Sequence, residues 1–459
     1  MRPMRSIPLL VLLLAPLLAC AGDVPPPATA QAPAASLAPP PPAPPPPPPP
    51  SVAAPVAPAA PLSLDERVAK LQRESIIVDT HDDITTPILD AGFDLADNDP
   101  YAATTLAKMR AGGMGAEFFS IYVDERFYDH PTAHDGGAAR RALDMIDVTY
   151  QQIERHPDEL RLATSTEDIR RAKADGKVAV LMGIEGGHAI ENSLYALREF
   201  YRLGVRYMTL THSKHNDWAD SAGISPPAPK PWHHGLSPFG EEVVREMQRI
   251  GMLVDVSHVS DETFEDVIRV ARAPVIASHS SSRALCDLPR NLSDAELVAL
   301  SKNGGVAMVN YFTLFLDPKV APALGALFKS HGKELGALFA GHLKPAAAHA
   351  ALVKIAGDAL PKTPLSVLVD HIEHMVKIAG IDHVGLGSDW DGSLSYPVGL
   401  EGMDGLPNLT RALLERGWSD QDVKKVLGEN FLRVFSEAAA FARATNTTLS
   451  GDGSTKSIE

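Results

Sequence analysis

The chain has 459 residues, and 45% of them are hydrophobic, which is enough to build one barrel-sized domain or two ordinary ones. A formal net charge of −15 argues against a nucleic-acid partner and against adsorption of the folded surface to anionic lipid. Any attachment to a membrane is therefore expected to come from the N-terminal segment.

This N-terminal segment has the pattern of a secretory signal. Two arginines precede an apolar run over residues 7–19, which is short for a membrane span but typical of a signal peptide. The run ends in Leu-Leu-Ala-Cys, which resembles the bacterial lipobox, where the cysteine is lipidated and becomes the mature N-terminus. We expect residues 1–20 to be a lipoprotein signal with Cys20 as the anchor; an ordinary signal peptide with an incidental cysteine is the alternative. Since Ala21 is not the aspartate associated with inner-membrane retention, the expected location is the bacterial cell envelope, at the outer membrane or periplasm of a Gram-negative host.

Residues 21–63 are mostly proline and alanine, a composition that forms extended polyproline II and cannot build a core. We interpret this segment as a spacer between the lipid anchor and a folded domain over residues 64–442, with a polar tail over residues 443–459. With Cys20 lipidated, Cys286 has no intramolecular partner, so it is predicted to be a packed thiol and not part of a disulfide.

Apolar strand patterns alternate with helical patterns from residue 64 onward, which is typical of parallel β/α architecture. Eight strands are predicted, over residues 76–80, 116–123, 178–184, 206–211, 252–257, 274–278, 305–310 and 383–388. Helices are predicted between them, including residues 195–203, 241–250 and 366–379, and Ser293 with Glu296 three residues on predicts a capped helix start. Eight strands favour a (β/α)8 TIM-like barrel, which gathers its strand ends at one face, over an open doubly wound sheet.

Most of the predicted strands lead into a histidine or a carboxylate. These residues are His81, Asp83, Glu185, His212, His258, His279 and Asp389. A single histidine after a strand is usually structural, but an apolar barrel does not need polar residues at six strand ends for its packing. Since the strand ends meet at the C-terminal face of a barrel, these side chains are predicted to form one site there.

The residue types at the strand ends are suited to two metal ions. His81 and Asp83 project to the same side of an extended chain and can hold one ion. His258 and His279 can hold a second ion, and Glu185 can bridge both. Imidazole and carboxylate without thiolate suit zinc, with manganese or cobalt as substitutes. Two ions roughly 3.5–4 Å apart can share a hydroxide that attacks at neutral pH.

Ten segments along the predicted barrel carry a family resemblance: VDTHDD, GIEGGH, YMTLTHS, DWADS, HHGLSPFGEEVVREM, GMLVDVSH, ASHSSSRAL, RNL, HVGLGSDWDG and GENFLRVF. Together they resemble the renal-type membrane dipeptidases, the zinc dipeptidases of the amidohydrolase-like superfamily. The resemblance extends over about residues 75–435 and follows the order of the predicted strands. It implies two zinc ions per chain, one on His81, Asp83 and the bridging Glu185, the other on Glu185, His258 and His279.

The resemblance also implies roles for three further side chains. His212 would contact the substrate carbonyl, Arg290 the substrate carboxylate, and Asp389 would move the proton. Asp391 competes with Asp389, since period two gives both the same direction, but Asp389 lies nearer the strand end. Asp82 is expected to point away from the ions as a solvated charge.

Two segments depart from a minimal barrel. The Trp-His-His run at residues 232–234 could shape the pocket or lie on the surface, and both readings stay open. The insertion over residues 313–364 has helical periodicity and is expected on the catalytic side, as a lid or as a contact in a homodimer. Which of the aromatic residues at its start lines the pocket stays open; they are Tyr311, Phe312 and Phe315.

The sequence therefore predicts a lipid-anchored metallodipeptidase that hydrolyses the peptide bond of a dipeptide by attack of a metal-bridging hydroxide. One alternative is a metal-dependent hydrolase of another small amide, such as an N-acyl amino acid. A second alternative is a zinc-binding lipoprotein without turnover. Asp389 argues against the second, because a storage or sensing site has no use for an acid beside its metals.

Overall fold

The structure is a computed structural model, which describes residue 42 and residues 62–129, 136–224, 228–339, 343–356 and 359–451. The predicted lipoprotein signal, its Cys20 and nearly all of the proline-rich spacer lie outside the described residues. Within those residues, no helix is both long enough and apolar enough to cross a membrane.

In the described part of the chain, nine parallel strands form the centre of the fold. They are β1 (Ile77–Asp82), β2 (Met114–Tyr122), β3 (Leu160–Leu162), β4 (Val178–Glu185), β5 (Val205–Thr209), β6 (Leu253–Asp255), β7 (Ile276–Ala277), β8 (Val306–Val309) and β9 (Val384–Leu386). Because β1 pairs with both β2 and β9 and β2 pairs with β4, eight strands close into a barrel. The short β3, which the sequence pattern did not predict, lies beside the start of β4. The predicted (β/α)8 TIM-like barrel is confirmed.

Helices follow the strands and surround the barrel. They are α1 (Leu64–Glu74), α2 (Thr85–Ala91), α3 (Leu106–Gly112), α4 (Arg126–Asp129), α5 (Ala138–Arg155), α6 (Thr166–Ala174), α7 (Leu194–Arg202), α8 (Pro238–Ile250), α9 (Asp261–Val270), α10 (Asp294–Lys302), α11 (Thr313–Leu316), α12 (Val320–Phe339), α13 (Pro345–Ala356), α14 (Leu365–Ala379), α15 (Leu406–Glu415), α16 (Asp420–Lys424) and α17 (Asn430–Gly451). At the start of α10, Ser293 and Glu296 each accept a hydrogen bond from the other's backbone N–H, which is the predicted capping box. The last helix, α17, continues into the segment predicted to be a polar tail.

The apolar run of β4 is buried on both faces, as a strand in a parallel barrel must be. Val180 and Met182 pack in the layer between barrel and helices, whereas Leu181 packs inside the barrel. Gly183 has no side chain where the ring of Tyr207 lies, and a Cβ there would be only 2.0 Å from that ring. The glycine therefore makes room for an interior tyrosine that contacts the site.

The insertion after β8 folds into α11, α12 and α13 and reaches across the C-terminal face of the barrel. At the far side of that face, the backbone N–H of Ala346 donates to Asp99 Oδ2 at 2.9 Å. The ring of His349 stacks on Tyr101 with 4.0 Å between centroids. Cys286 is 2% exposed and packs beside α11, and it is the free cysteine of the described part of the chain. The insertion thus lies over the catalytic face, which favours the lid interpretation.

Candidate metal centre and active site

The side chains predicted at the strand ends converge on one cluster. Three groups place one ligand atom from each residue within 4.8 Å of the others: His81, Glu185 and His279; Glu185, His212 and His258; His81, Asp83 and Asp389. Because Glu185 and His81 each belong to two of these groups, the groups are parts of a single site. The geometry therefore brings together all seven residues predicted from the strand ends.

Glu185, the last residue of β4, lies at the centre of this cluster. Its Oε1 is 3.0 Å from His258 Nε2 and 3.3 Å from His279 Nε2. Its Oε2 is 3.5 Å from His81 Nε2, which is itself 3.7 Å from Asp83 Oδ2. One oxygen of the carboxylate thus faces His258 and His279, and the other faces the pair of His81 and Asp83. This is the arrangement of a ligand that bridges two metal ions.

The hydrogen bonds behind His279 define its tautomer. Ser278 Oγ donates its single hydrogen to Asp255 Oδ2 at 2.5 Å, so His279 Nδ1, 2.7 Å from the same hydroxyl, must donate to it. The lone pair of Nε2 then points at Glu185. A histidine whose outer nitrogen donates to a supporting group is typical of a metal ligand. Burial lowers the pKa of His279 well below its usual value, which favours the neutral form that binds metals.

His81 is held in a similar way by the interior tyrosine. Its Nδ1 is 2.8 Å from the hydroxyl of Tyr207, and that hydroxyl donates to the carbonyl of Thr80 at 3.0 Å. Among the described residues, His81 Nε2 and Asp83 Oδ1 are buried without a hydrogen-bond partner. Burial opposes a charge on His81, but Tyr207, Glu185 and Asp83 outweigh it and raise the pKa of this imidazole well above its usual value. The surroundings of His81 thus favour a positive charge, so the unpartnered ligand atoms of His81 and Asp83 fit a bound cation.

His212 lies at the edge of the cluster, and its shortest side-chain contact is to Glu125 and not to Glu185. Its Nε2 is 3.9 Å from Glu185 Oε1, farther than the nitrogens of His258 and His279. Its Nδ1 is 2.9 Å from Glu125 Oε1. Burial opposes protonation of His212, but the carboxylates of Glu125, Glu185 and Asp83 together outweigh burial and raise the pKa of the imidazole to about 9. His212 is therefore a charged hydrogen-bond donor at neutral pH.

Asp389 and Asp391 follow β9 but have different surroundings. Asp389 Oδ2 accepts from Asn310 Nδ2 at 2.9 Å, and the carboxylate belongs to the metal-ligand cluster. Asp391 Oδ1 instead accepts from the backbone N–H of Ala103 at 3.0 Å. The period-two argument for a shared direction is wrong, because both residues have left-handed backbones with φ of 63° and 59°. Burial raises the pKa of Asp389 to about 7, which suits a group that exchanges protons near neutral pH.

Arg290 lies directly behind His279. Its Nη1 donates to Ser280 Oγ at 2.6 Å and its Nη2 to the carbonyl of His279 at 2.8 Å. The side chain is 3% exposed, and in the described part of the chain its Nε has no partner. A guanidinium has five N–H donors, so these two contacts leave other donors of Arg290 without a partner among the described residues. Burial lowers the pKa of Arg290 to about 10, so it stays charged at neutral pH.

Comparison with known proteins identifies the family. The family model described as Membrane dipeptidase (Peptidase family M19) matches residues 65–449. The chain belongs to the membrane dipeptidase family. This dipeptidase is similar to "Dipeptidase tcpJ" of Claviceps purpurea (strain 20.1), with 37% identity over 336 residues, 72% of this chain and 68% of that protein.

Solved structures of dipeptidases are also similar to it. The probable dipeptidase PvdM from Pseudomonas aeruginosa superposes with a TM-score of 0.71 and 29% identity, over 83% of this chain and 99% of that one. The structure described as dipeptidase AC, a metallopeptidase of family M19, gives a TM-score of 0.65 and 25% identity, over 80% and 99% of the two chains. The chain is thus a metal-dependent dipeptidase with a TIM-like barrel, as the sequence predicted.

A cavity of about 950 Å³ opens above the ligand cluster of the dipeptidase. Its floor includes Asp83, Glu185, His212, His258 and Asp389, and its roof comes from the insertion. Of the three aromatic residues left open by the sequence, Phe312 and Phe315 line this cavity, whereas Tyr311 packs edge-on against Trp390. None of residues 232–234 is among the described lining residues, and Trp232 is 64% exposed, so the surface interpretation fits this run.

The expectation that Asp82 is a solvated charge is wrong. Its Oδ1 accepts from the backbone N–H of Ile84 at 2.9 Å and its Oδ2 from the hydroxyl of Thr104, and the side chain is fully buried. The Asp82 side chain therefore points away from the ligand cluster into the protein interior and not into solvent. Burial and the nearby Asp391 raise the pKa of Asp82 well above its usual value, so the neutral acid is favoured.

Sequence reasoning missed the residues that support the site. They are Tyr207 behind His81, Ser278 and Asp255 behind His279, Glu125 behind His212 and Asn310 behind Asp389. Asp255 carried a usable signal, because a carboxylate inside a buried apolar strand needs a partner. Glu125 and Asn310 carried little signal, since each is one polar residue near a strand end.

Proposed function

We propose that the dipeptidase binds two zinc ions, one at His81, Asp83 and Glu185 and one at Glu185, His258 and His279. The observation that carries this proposal is the Glu185 carboxylate, whose Oε1 faces His258 and His279 and whose Oε2 faces His81. Imidazole and carboxylate ligands without thiolate suit zinc. When bound, such a pair of ions lowers the pKa of a shared water and polarises the scissile carbonyl.

His212 is assigned to the carbonyl oxygen of the substrate. It lines the cavity beside Glu185, and Glu125 holds its ring in place and favours its protonated form. A charged donor fixed in this way stabilises the negative charge that develops on the carbonyl oxygen during attack. The contact to Glu125 means that the donor does not have to reorient during the reaction.

Asp389 is assigned to proton transfer. Its Oδ2 is held by Asn310, and the carboxylate lies beside His81 and Asp83 at the edge of the cavity. From there it can accept a proton as water is deprotonated and return it to the leaving amine nitrogen. Asp391 also lines the cavity, but its Oδ1 accepts from the backbone N–H of Ala103, and it belongs to none of the ligand groups among the described residues.

The direct test of the proposed function is an assay of the zinc-loaded protein against L,L and L,D dipeptides and against N-acyl amino acids. Hydrolysis of dipeptides in preference to N-acyl amino acids is the expected result. Preference for N-acyl amino acids would instead favour the alternative amide hydrolase, and turnover of neither would leave only metal binding.

Arg290 is assigned to the C-terminal carboxylate of the substrate, because a planar fork of donors suits a carboxylate. Arg290→Met should lower kcat/KM for a dipeptide at least about tenfold, since hydrogen bonds to charged groups contribute roughly 1.5–3 kcal/mol. The measurement compares a dipeptide with its C-terminal amide. Wild type is expected to prefer the free acid strongly, and the variant should lose most of that preference while keeping its metals.

A preference that Arg290→Met leaves unchanged would mean that another residue reads the carboxylate. In that case the contacts of Arg290 to Ser280 and to the carbonyl of His279 define its role, as a support for the His279 ligand. Metal content of the variant separates the two roles, because a supporting residue would lower it.

We further propose that Cys20 anchors the protein to the bacterial envelope, at the outer membrane if the host is Gram-negative. The lipobox-like Leu-Leu-Ala-Cys and the proline-rich spacer support this proposal. Cys20→Ser should release or mislocalise the protein, as judged by membrane fractionation. A variant that fractionates with membranes like the wild type would show that the anchor is wrong.

A further inference from the structure

The cavity above the metal centre has two chemically different halves. The floor is ionic and is lined by Glu185, His212 and Asp389. The roof comes from the insertion and is mostly apolar, with His349 and Lys362 as polar members. Its apolar side chains come from both long helices; they are Leu324 and Phe328 of α12 and Leu352, Val353 and Ala356 of α13. Leu314 and Phe315 of α11 extend the apolar surface down to the floor. A substrate that fills this cavity must therefore be polar at one end and apolar at the other.

The size of the cavity points in the same direction. Its volume of about 950 Å³ lies near the upper end of the range of roughly 300–1,000 Å³ that suits drug-sized ligands. A dipeptide of two small residues is much smaller than such a ligand. With a small substrate, the roof side chains that are not already buried would stay in contact with water, which is unfavourable for a contiguous apolar surface. They include the partly buried Leu352 and the exposed Phe328 and Val353.

The roof is part of the folded barrel domain and is tied down at both ends. On the near side, Leu324 is 5% exposed and packs in a cluster with Phe312 and Phe315. On the far side, Asp99 accepts from the backbone N–H of Ala346 at 2.9 Å. Lys344 and Asp97 form a second link with 3.2 Å between Nζ and Oδ2. The apolar roof is thus held over the ionic floor.

We infer that this dipeptidase is selective for dipeptides that carry at least one large apolar side chain, aromatic or branched aliphatic, which packs under the insertion. This inference rests on the proposed function, because the floor must hold the peptide bond. The binding energy of the apolar group is available to position the bond, so it should raise kcat/KM. Full burial of a side chain such as leucine or phenylalanine corresponds to roughly tenfold or more.

The test is a comparison of kcat/KM for Ala-Ala with that for Ala-Phe and Phe-Ala, using the full zinc-loaded chain. At least one phenylalanine dipeptide should exceed Ala-Ala by about tenfold or more. Both dipeptides falling within about threefold of Ala-Ala would overturn the inference. No hydrolysis of any of the three would instead contradict the proposed function, so the two failures are distinguishable.

A pair of roof variants then locates the preference. In the double variant Leu324→Ser/Leu352→Ser, most of the preference should be lost. The ratio of kcat/KM for the preferred dipeptide to that for Ala-Ala should therefore fall most of the way toward one. The ratio does not depend on the fraction of active enzyme, so partial misfolding cannot imitate the effect. Leu327→Ser is the matched control, because Leu327 packs inside the insertion and is not among the described lining residues. The control should keep the ratio; a double variant that also keeps it would show that the roof does not select the side chain.

Discussion

Replacing Glu185 with glutamine is expected to remove both metal ions and nearly all dipeptidase activity. Glutamine keeps the size of the side chain but offers one oxygen and no charge, whereas the carboxylate presents Oε1 to His258 and His279 and Oε2 to His81. Metal-assisted activation supplies several kcal/mol, so kcat/KM should fall by at least about 10³-fold. Metal content by mass spectrometry and activity are measured on the same preparation.

His279→Ala is the matched comparison for Glu185→Gln. Loss of the His279 imidazole leaves the contacts of His81 with Glu185 and with Asp83 in place, so mainly one ion should be lost. A Glu185→Gln protein that retains one ion as tightly as the wild type would contradict the bridging role. Thermal unfolding of both variants without added metal controls for damage to the barrel.

Asp389→Asn is expected to lower turnover by about 10²–10⁴-fold with both metals retained, because it removes the acid–base group but keeps its approximate shape. Asn310 can still hydrogen-bond to the new side chain, which limits rearrangement. The measurement is kcat at saturating dipeptide together with metal content.

Asp391→Asn separates the two carboxylates. Asp391 accepts from the backbone of Ala103 and lies outside the ligand groups, so its substitution should cost much less turnover than that of Asp389. The reverse outcome, in which Asp391→Asn is inactive and Asp389→Asn keeps its turnover, would move the proton-transfer role to Asp391.

Much of the fold and of the ligand cluster could be predicted from the sequence, because both depend on local patterns. An uninterrupted apolar run such as that of β4 marks a strand buried on both faces, and Glu185 marks where it ends. Parallel closure then brings all such ends to one face. The convergence of His81, Glu185 and His279 followed from these two facts alone.

What could not be predicted depends on contacts between distant segments. The burial of Asp82 depends on Thr104, and the support of His279 depends on Asp255 in the neighbouring strand. The directions of Asp389 and Asp391 depend on left-handed backbone conformations that interrupt the alternation of an extended chain. The apolar roof likewise appears only once α12 and α13 are placed over the barrel.

Whether Glu185 joins two metal ions in one catalytic centre can be measured by titrating metal-free protein with zinc while following dipeptide hydrolysis and bound metal together. Activity is expected to reach its maximum at two bound zinc ions per chain. Full activity at a single bound ion per chain would contradict the bridging role of Glu185.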